Sequence, residues 1–231
     1  MKTRTVALAL SCALLVPAMA SADGGVEPFL TPAPPGPPES GLSIALSVGY
    51  ALPMGSAGDI GNGDLKFSDL YSGALPFQVD LGWRFSPNIY LGGFFQYAIA
   101  FINNSAQGCT NGVSCTGYDM QFGIDFVYTF APRATFAPYV GLGVGWEVAS
   151  ATGSGNGQTL TFTYSGFQFA RFIVGGDFRL GSAFRVGPFV DFSLGEFGNF
   201  SASGAQSVSP AITTKALHEW LQFGIKGTVD L

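Results

Sequence analysis

The sequence predicts an all-β chain in which eight antiparallel strands close into an up-and-down barrel that spans a membrane. Through most of residues 41–231, bulky apolar residues alternate with small or polar ones. Charged residues make up only 11% of the chain, against roughly 25% in an ordinary soluble domain, whereas aromatic residues reach 14%. The connections between the alternating segments are short and long in turn, as in barrels that cross a bilayer.

Residues 1–22 have the pattern of a secretory signal peptide. Two basic residues precede an apolar run at 6–15, and small residues follow it at 18–22. The run is shorter than the ~20 residues that a spanning helix needs, so a membrane anchor is the weaker alternative. We expect cleavage after Ala20 or Ala22.

Residues 23–40 contain six prolines, which remove backbone donors and favour extended polyproline geometry. We predict a disordered, proline-rich periplasmic linker here; the alternative is a proline-rich ligand for a partner. The barrel is predicted to cover residues 41–231.

Charge excludes one class of partner. Loss of the signal peptide removes Lys2 and Arg4 and leaves eight basic against fifteen acidic residues, a net charge of −7, which argues against nucleic acid. Beyond the leader, no stretch reaches the ~18 apolar residues of a transmembrane helix, so strands must cross the membrane.

Eight segments alternate with the period of two that is typical of a strand. In the first segment, Leu46, Val48 and Tyr50 share one face, while Ser47 and Gly49 share the other. The segments cover residues 42–52, 74–85, 89–101, 119–130, 136–148, 169–180, 185–194 and 221–231. Each is long enough to cross a bilayer when tilted.

Two of the segments break the alternation. Phe94 falls on the polar side of the third segment, and Phe169 and Ile173 fall on the polar side of the sixth. The predicted short turns are 86–88, 132–135 and 181–183, and the predicted long loops are 53–70, 102–116, 150–163 and 195–216. An even strand number then leaves both chain ends in the periplasm.

A soluble up-and-down barrel of lipocalin type would show the same alternation, with its apolar face inside. The polar face of this chain is mostly small residues and glutamine with few lysines, which suits a narrow lumen better than a water-facing surface. Aromatic residues also collect near both ends of the segments, as in the girdles of membrane barrels: Tyr50, Tyr71, Tyr97, Tyr118 and Trp146 towards the long loops, and Trp83, Phe85, Tyr128 and Phe130 towards the short turns.

Five acids and five bases fall on the predicted inward face, and we expect them to form an ionic network in the lumen. They are Asp80, Arg84, Asp125, Glu147, Arg171, Asp177, Arg179, Arg185, Asp191 and Lys226. Counting from the short turns predicts three neighbouring pairs: Glu147 with Arg171, Asp177 with Arg185, and Asp191 with Lys226. A gated ion path is the alternative to a structural network.

Residues 41–231 resemble the small outer-membrane β-barrel proteins of Gram-negative bacteria, a group that includes the OmpA transmembrane domain, OmpX and OmpW. The resemblance depends on the strand pattern, on residues 49–55 (GYALPMG) and on the alternating C-terminal strand, where Leu231 replaces the usual aromatic residue. It implies a monomer in the outer membrane, contact with lipid and lipopolysaccharide, and recognition of the last strand by the barrel-assembly machinery.

Cys109 and Cys115 lie in one predicted loop of an exported chain, so we predict a disulfide between them. Other candidate chemistry is sparse. His218 is the single histidine and has no evident serine partner, so we expect a rim residue, no metal site and no enzyme. Residues 141–145 (GLGVG) superficially resemble a phosphate-binding loop, but no helix follows them, so we predict no bound cofactor.

Two function classes remain. The favoured one is a non-enzymatic structural or surface-interaction barrel that acts through four long extracellular loops, because eight strands leave an interior that side chains just fill. The alternative is a narrow channel or port for small molecules; the resemblance to OmpW-like barrels implies that these are hydrophobic.

Overall fold

The computed structural model describes residues 38–59, 64–103, 109, 112–210, 212 and 214–231. The predicted signal peptide and nearly all of the proline-rich linker lie outside this part of the chain. None of the helical segments in the described part is long and apolar enough to cross a membrane.

The described residues form ten strands and one short helix. They are β1 (Gly41–Asp59), β2 (Asp64–Lys66), α1 (Phe67–Leu70), β3 (Tyr71–Arg84), β4 (Ile89–Ile102), β5 (Ser114–Thr129), β6 (Phe136–Gly155), β7 (Gln158–Arg179), β8 (Phe184–Ser203), β9 (Ser207–Val208) and β10 (Leu217–Asp230).

Eight long strands close into a ring. Each pairs antiparallel with its neighbours in the order β1, β3, β4, β5, β6, β7, β8 and β10, and β10 returns to β1 from Ser43↔Asp230 to Gly55↔His218. The two short strands extend the ladder at one end, where β2 pairs with β1 and β9 with β8. A closed ring leaves no long open edge, and the predicted eight-stranded barrel is confirmed.

Alternation sorts the side chains between the two faces of the wall. Leu46 is 62% exposed on the outside, whereas the next residue, Ser47, is 8% exposed in the interior. Large apolar residues are exposed all around the ring, and most buried charged residues lie inside it. This is the reverse of a lipocalin-type barrel, and it suits a wall that faces hydrocarbon.

Three short turns join the strands at one end, which we call the short-turn end. They lie at residues 85–88, 130–135 and 180–183, as predicted. Trp83, Phe85, Tyr128 and Phe130 are all exposed on the outside near these turns and form the predicted aromatic girdle.

The opposite end, the long-loop end, holds more strand than the sequence indicated. The prediction that residues 150–163 form a loop is wrong, because β6 and β7 continue as one hairpin around Asn156 and Gly157, which have positive φ. Predicted loop 195–216 likewise begins with strand as far as Ser203, and predicted loop 53–70 contains the end of β1, β2 and α1. These stretches alternate Ser, Thr and Gly with fewer bulky residues, so a search for alternating apolar residues missed them.

The three misfits in the alternation have structural explanations. The β7–β8 pairing shifts register between Gln168 and Ala170, which leaves Phe169 exposed on the outer wall. Ile173 and Phe94 do point into the interior, where both are buried.

Candidate functional site

The barrel interior is the candidate site, and its side chains lie in three layers. The layer nearest the short turns is ionic and centres on Asp230. The Asp230 carboxylate accepts hydrogen bonds from Arg84 Nε at 3.1 Å, Arg185 Nε at 3.0 Å and Ser43 Oγ at 2.8 Å. Sequence reasoning placed Asp230 on the inward face but left it out of the ionic network.

Arg185 joins two carboxylates. Its Nη1 lies 2.9 Å from Asp177 Oδ2, so this predicted pair is present, and its Nη2 lies 3.0 Å from Asp230 Oδ2. Arg179, the last residue of β7, donates instead to the backbone carbonyl of Pro132 in a short turn. The ionic layer therefore ties the ends of β3, β7, β8 and β10 together.

Arg171 is the centre of the middle layer. It forms an ion pair with Asp191 and lies 3.5 Å from Asp125 Oδ2. Its Nη2 donates to Gln78 Oε1 at 2.6 Å, and its guanidinium stacks over the Phe94 ring at 4.1 Å from the centroid. A cation so buried is stable only with partners of this kind.

The expected pairing of Glu147 with Arg171 is wrong. In the β6–β7 ladder, Arg171 lies opposite Gly143, in the same register that pairs Phe136 with Phe178 near the short turns. Glu147 lies four residues further along β6 and faces Gly166, beyond a bulge at Gly143/Gly145 that shifts the pairing by only one residue. A count of residues from the short turns does not give the offset between the two strands, so it could not place the two side chains correctly.

Asp191 and Lys226 also do not form the expected ion pair within the described chain. Lys226 faces Gly187 on β8, four residues from Asp191. Its ammonium group lies 3.9 Å from the centroid of the Tyr139 ring instead. Asp80, the remaining predicted member of the network, accepts a hydrogen bond from Gln78 Nε2 at 2.7 Å.

A cavity of about 40 Å³ lies between the ionic and middle layers. Asp80 Oδ2, Asp125 Oδ1, Tyr139 Oη and Arg171 Nη1 belong to residues in its wall and have no hydrogen-bond partner within the described chain. A polar cavity of this size has room for roughly three water molecules.

The third layer, at the long-loop end, is aromatic. Phe67 of α1 is 0% exposed, and its ring packs against Trp220 at 5.0 Å, His218 at 5.1 Å and Tyr71 at 5.3 Å between centroids. Phe197 on β8 lies 5.7 Å from the same ring. Tyr71 was predicted for the outer girdle; it lies inside instead, because Gly73 opens a register shift at the start of β3.

Glu147 lies directly beneath this aromatic layer. Its Oε2 is 2.9 Å from His218 Nε2, and its Oε1 accepts a hydrogen bond from Trp220 Nε1 at 2.9 Å. The His218 ring stacks on Phe197 at 3.8 Å and is 1% exposed. His218 and Trp220 share the inward parity of Gln222, so the alternation of β10 could have found both.

Residues 141–145 occupy the middle of β6 and leave room for lumen side chains. A Cβ on Gly143 would lie 2.0 Å from Asp125 Oδ1, and one on Gly145 would lie 3.1 Å from Gln168 Oε1. The glycines are thus explained by close packing in the lumen.

A cleft of about 900 Å³ opens above the aromatic layer at the long-loop end. Its lining includes Leu70, Ile102, Val113, Leu160 and Phe162, and none of the lining residues in the described part of the chain is charged. The predicted disulfide, Cys109–Cys115, is present with a Cα–Cα distance of 5.8 Å and forms part of one wall.

Comparison with known proteins shows the fold. No protein-family model matches the sequence, and no curated protein is significantly similar to it. A major outer membrane protein from Thermus thermophilus has 10% identity over 83% of this chain and 99% of its own, with a TM-score of 0.55.

Two further solved structures are similar at lower scores. They are the outer membrane protein OprG from Pseudomonas aeruginosa (11% identity, 86% of this chain, 98% of its own, TM-score 0.48) and Neisserial surface protein A (13%, 83%, 99%, 0.46). At 10% identity and a TM-score of 0.55, the match to the Thermus protein establishes a common fold and nothing finer.

Proposed function

We propose that this outer-membrane β-barrel is a non-enzymatic structural or surface-interaction protein, with a lumen filled by its own side chains and an extracellular end that contacts its surroundings. Side chains of the described residues occupy the interior at three levels, and the space between the lower two is about 40 Å³. That filling is the observation that carries the proposal. The interior of an eight-stranded barrel is just wide enough to be filled by side chains.

The surroundings of His218 support a non-enzymatic role. Its ring is buried under Phe67 and against Phe197, and its Nε2 is already bonded to Glu147. A general base must reach the proton that it abstracts, so a substrate would first have to displace the aromatic layer.

The outside of the barrel supports an outer-membrane location, with lipid and lipopolysaccharide as its surroundings. Recognition of β10 by the barrel-assembly machinery and a monomeric state are further parts of the proposal. The apolar outer face of β10, which includes Phe223 and Ile225, is of the kind that such a strand would present.

A port for small apolar molecules is the second candidate, and the cleft of about 900 Å³ favours it. Its size is near the upper end of typical ligand pockets, and its uncharged lining suits a neutral solute. For transport, a solute would have to pass the aromatic layer or leave through the wall.

Planar-bilayer recordings of the purified, folded protein test the proposal. We expect no steady ion current from the wild type, because the ionic and middle layers occupy the lumen. The matched variants are Arg171→Ala, in the middle layer, and Arg133→Ala, in an exposed turn. A steady wild-type conductance that Arg171→Ala enlarges and Arg133→Ala leaves unchanged would establish a channel and overturn the filled lumen.

A further inference from the structure

The outer face of the barrel changes character where β6, β7 and β8 extend beyond their apolar bands. Six hydroxyl side chains lie there in two adjoining rows, and we call them the hydroxyl face. They are Thr116, Thr152, Thr161 and Ser203 in one row, and Thr163 and Ser201 in the next.

The strand register places these side chains on one surface. Thr152 faces Thr116 on β5 and Thr161 on β7, and Thr161 in turn faces Ser203 on β8. The Oγ1 atoms of Thr152 and Thr161 are 3.0 Å apart. All six residues are exposed or half-buried. The strand spacing repeats the hydroxyls about every 4.8 Å across the sheet.

One ion pair lies at the base of the β8 extension, where Lys215 Nζ is 3.1 Å from Glu196 Oε1 and Glu196 lies opposite Phe167. Beyond that level, the outward positions of the extensions carry no charge in the described residues. From Ser150 to Ser154 on β6, from Thr159 to Ser165 on β7 and from Asn199 to Ser203 on β8, every outward residue is Ser, Thr or Asn. Strand propensity does not explain the set, since Thr favours strands but Ser is neither β-branched nor aromatic. Water-facing sheets are ordinarily kept soluble by interspersed charges.

The hydroxyl face is continuous with the lipid-facing wall of the same strands. Trp146 on β6 and Phe167 on β7 are exposed cross-strand partners near the end of the apolar band, which Val148 completes on β6. Thr152 follows Trp146 by six residues, about 20 Å along the strand and about 15 Å higher once the strand tilt is included. The face therefore looks sideways, at the height just outside the hydrocarbon.

We propose that the hydroxyl face binds the neutral sugar chain of outer-leaflet glycolipids that surround the barrel. Each hydroxyl can donate one hydrogen bond and accept two, and so can each sugar hydroxyl, so the two surfaces are complementary. A charged partner would find no opposite charge among the six residues, and the neighbouring Glu196 and Lys215 neutralise each other. An apolar partner would leave the hydroxyls without hydrogen bonds. The proposal rests on the proposed function and names the surface through which the barrel makes a contact.

The test uses the folded protein in lipid nanodiscs. The probe is a neutral outer polysaccharide of smooth lipopolysaccharide, separated from both lipid A and the charged core sugars. The variant is the triple replacement Thr116→Val, Thr152→Val and Thr161→Val, which removes three hydroxyls but keeps the β-branched shape. Thr135→Val is the matched control, because Thr135 is exposed in a turn at the other end.

We expect wild type and control to bind the polysaccharide with equal affinity and the triple variant to bind at least tenfold more weakly, since one neutral hydrogen bond is worth several-fold in affinity. Equal binding by the triple variant, or no binding by the wild type, would overturn the proposal. Equally tight binding of a dextran of the same length would overturn its assignment to glycolipid.

Failure here is distinguishable from failure of the proposed function. The conductance recordings do not depend on Thr116, Thr152 or Thr161, so a non-conducting protein without polysaccharide binding would refute only the inference from the hydroxyl face. A conducting protein that binds the polysaccharide would refute only the filled lumen.

Discussion

Arg171 and Glu147 carry opposite charges in the same lumen, yet they stabilise different parts of it. Arg171 holds the middle layer through Asp191, Asp125 and Gln78. Glu147 holds the end beneath the aromatic layer through its bond to His218. Each charge is buried with hydrogen-bonded partners. Removing one partner should therefore lower the free energy of unfolding by more than the intact pair contributes to it, because the other charge is left buried and unpaired.

A pair of double-mutant cycles separates the two clusters. We expect the effects of Glu147→Gln and His218→Gln on the free energy of unfolding to be coupled by about 1 kcal/mol or more, because the two side chains are in contact. The effects of Glu147→Gln and Arg171→Gln on the free energy of unfolding should be additive within about 0.5 kcal/mol. Arg171 lies opposite Gly143, four residues from Glu147 along β6, a distance of about 13 Å. Folding titrations in urea with lipid vesicles measure both. Coupling in the second cycle alone would restore the pairing first expected from the sequence.

The β6–β7 hairpin and the disulfide loop act as elements outside the membrane-spanning wall. The hairpin contributes Tyr164 to the aromatic layer, and Leu160 and Phe162 line the cleft. The Cys109–Cys115 ring is small and forms part of the cleft wall next to that hairpin, where Cys115 pairs with Gly153. Loss of the disulfide should therefore destabilise the wall of the cleft and not the barrel.

Replacing Cys109 and Cys115 with Ser tests this separation. Closing a ring of this size is worth about 2 kcal/mol, and we expect the loss to appear as local opening, because the cysteines lie beyond the lumen layers. Protease cleavage between β4 and β5 should become faster, while the urea midpoint of the barrel stays unchanged. A drop in the midpoint would mean that the loop supports the barrel wall.

At the scale of the whole molecule, the spanning part of the barrel is apolar outside, and the interior is polar except for the aromatic layer at the long-loop end. Ring closure satisfies the backbone along both edges of each spanning strand, which hydrocarbon requires. The ion pairs of Asp230 then join strands that lie far apart in sequence, such as β3 and β10.

Closure predicts the behaviour of the folded protein on a gel. The protein should fractionate with the outer membrane and migrate faster when unheated than when boiled, because the closed sheet resists detergent. Asp230→Asn should lower the temperature at which the fast form is lost, since Arg84 and Arg185 lose their shared carboxylate. The control is Glu39→Gln, an exposed acid at the same end. A soluble periplasmic product would contradict the fold assignment.

The barrel, its short turns, the inward parity of the charged residues and the disulfide could all be predicted from the sequence. These are local properties, because alternation and turn composition depend on residues that are close together in the sequence. Which charges meet could not be predicted in this way. The offset between β6 and β7 places Arg171 opposite Gly143, four residues from Glu147, and an aromatic side chain from α1 covers His218. Register and layer contacts depend on residues far apart in the chain, and one bulge shifts every pairing beyond it.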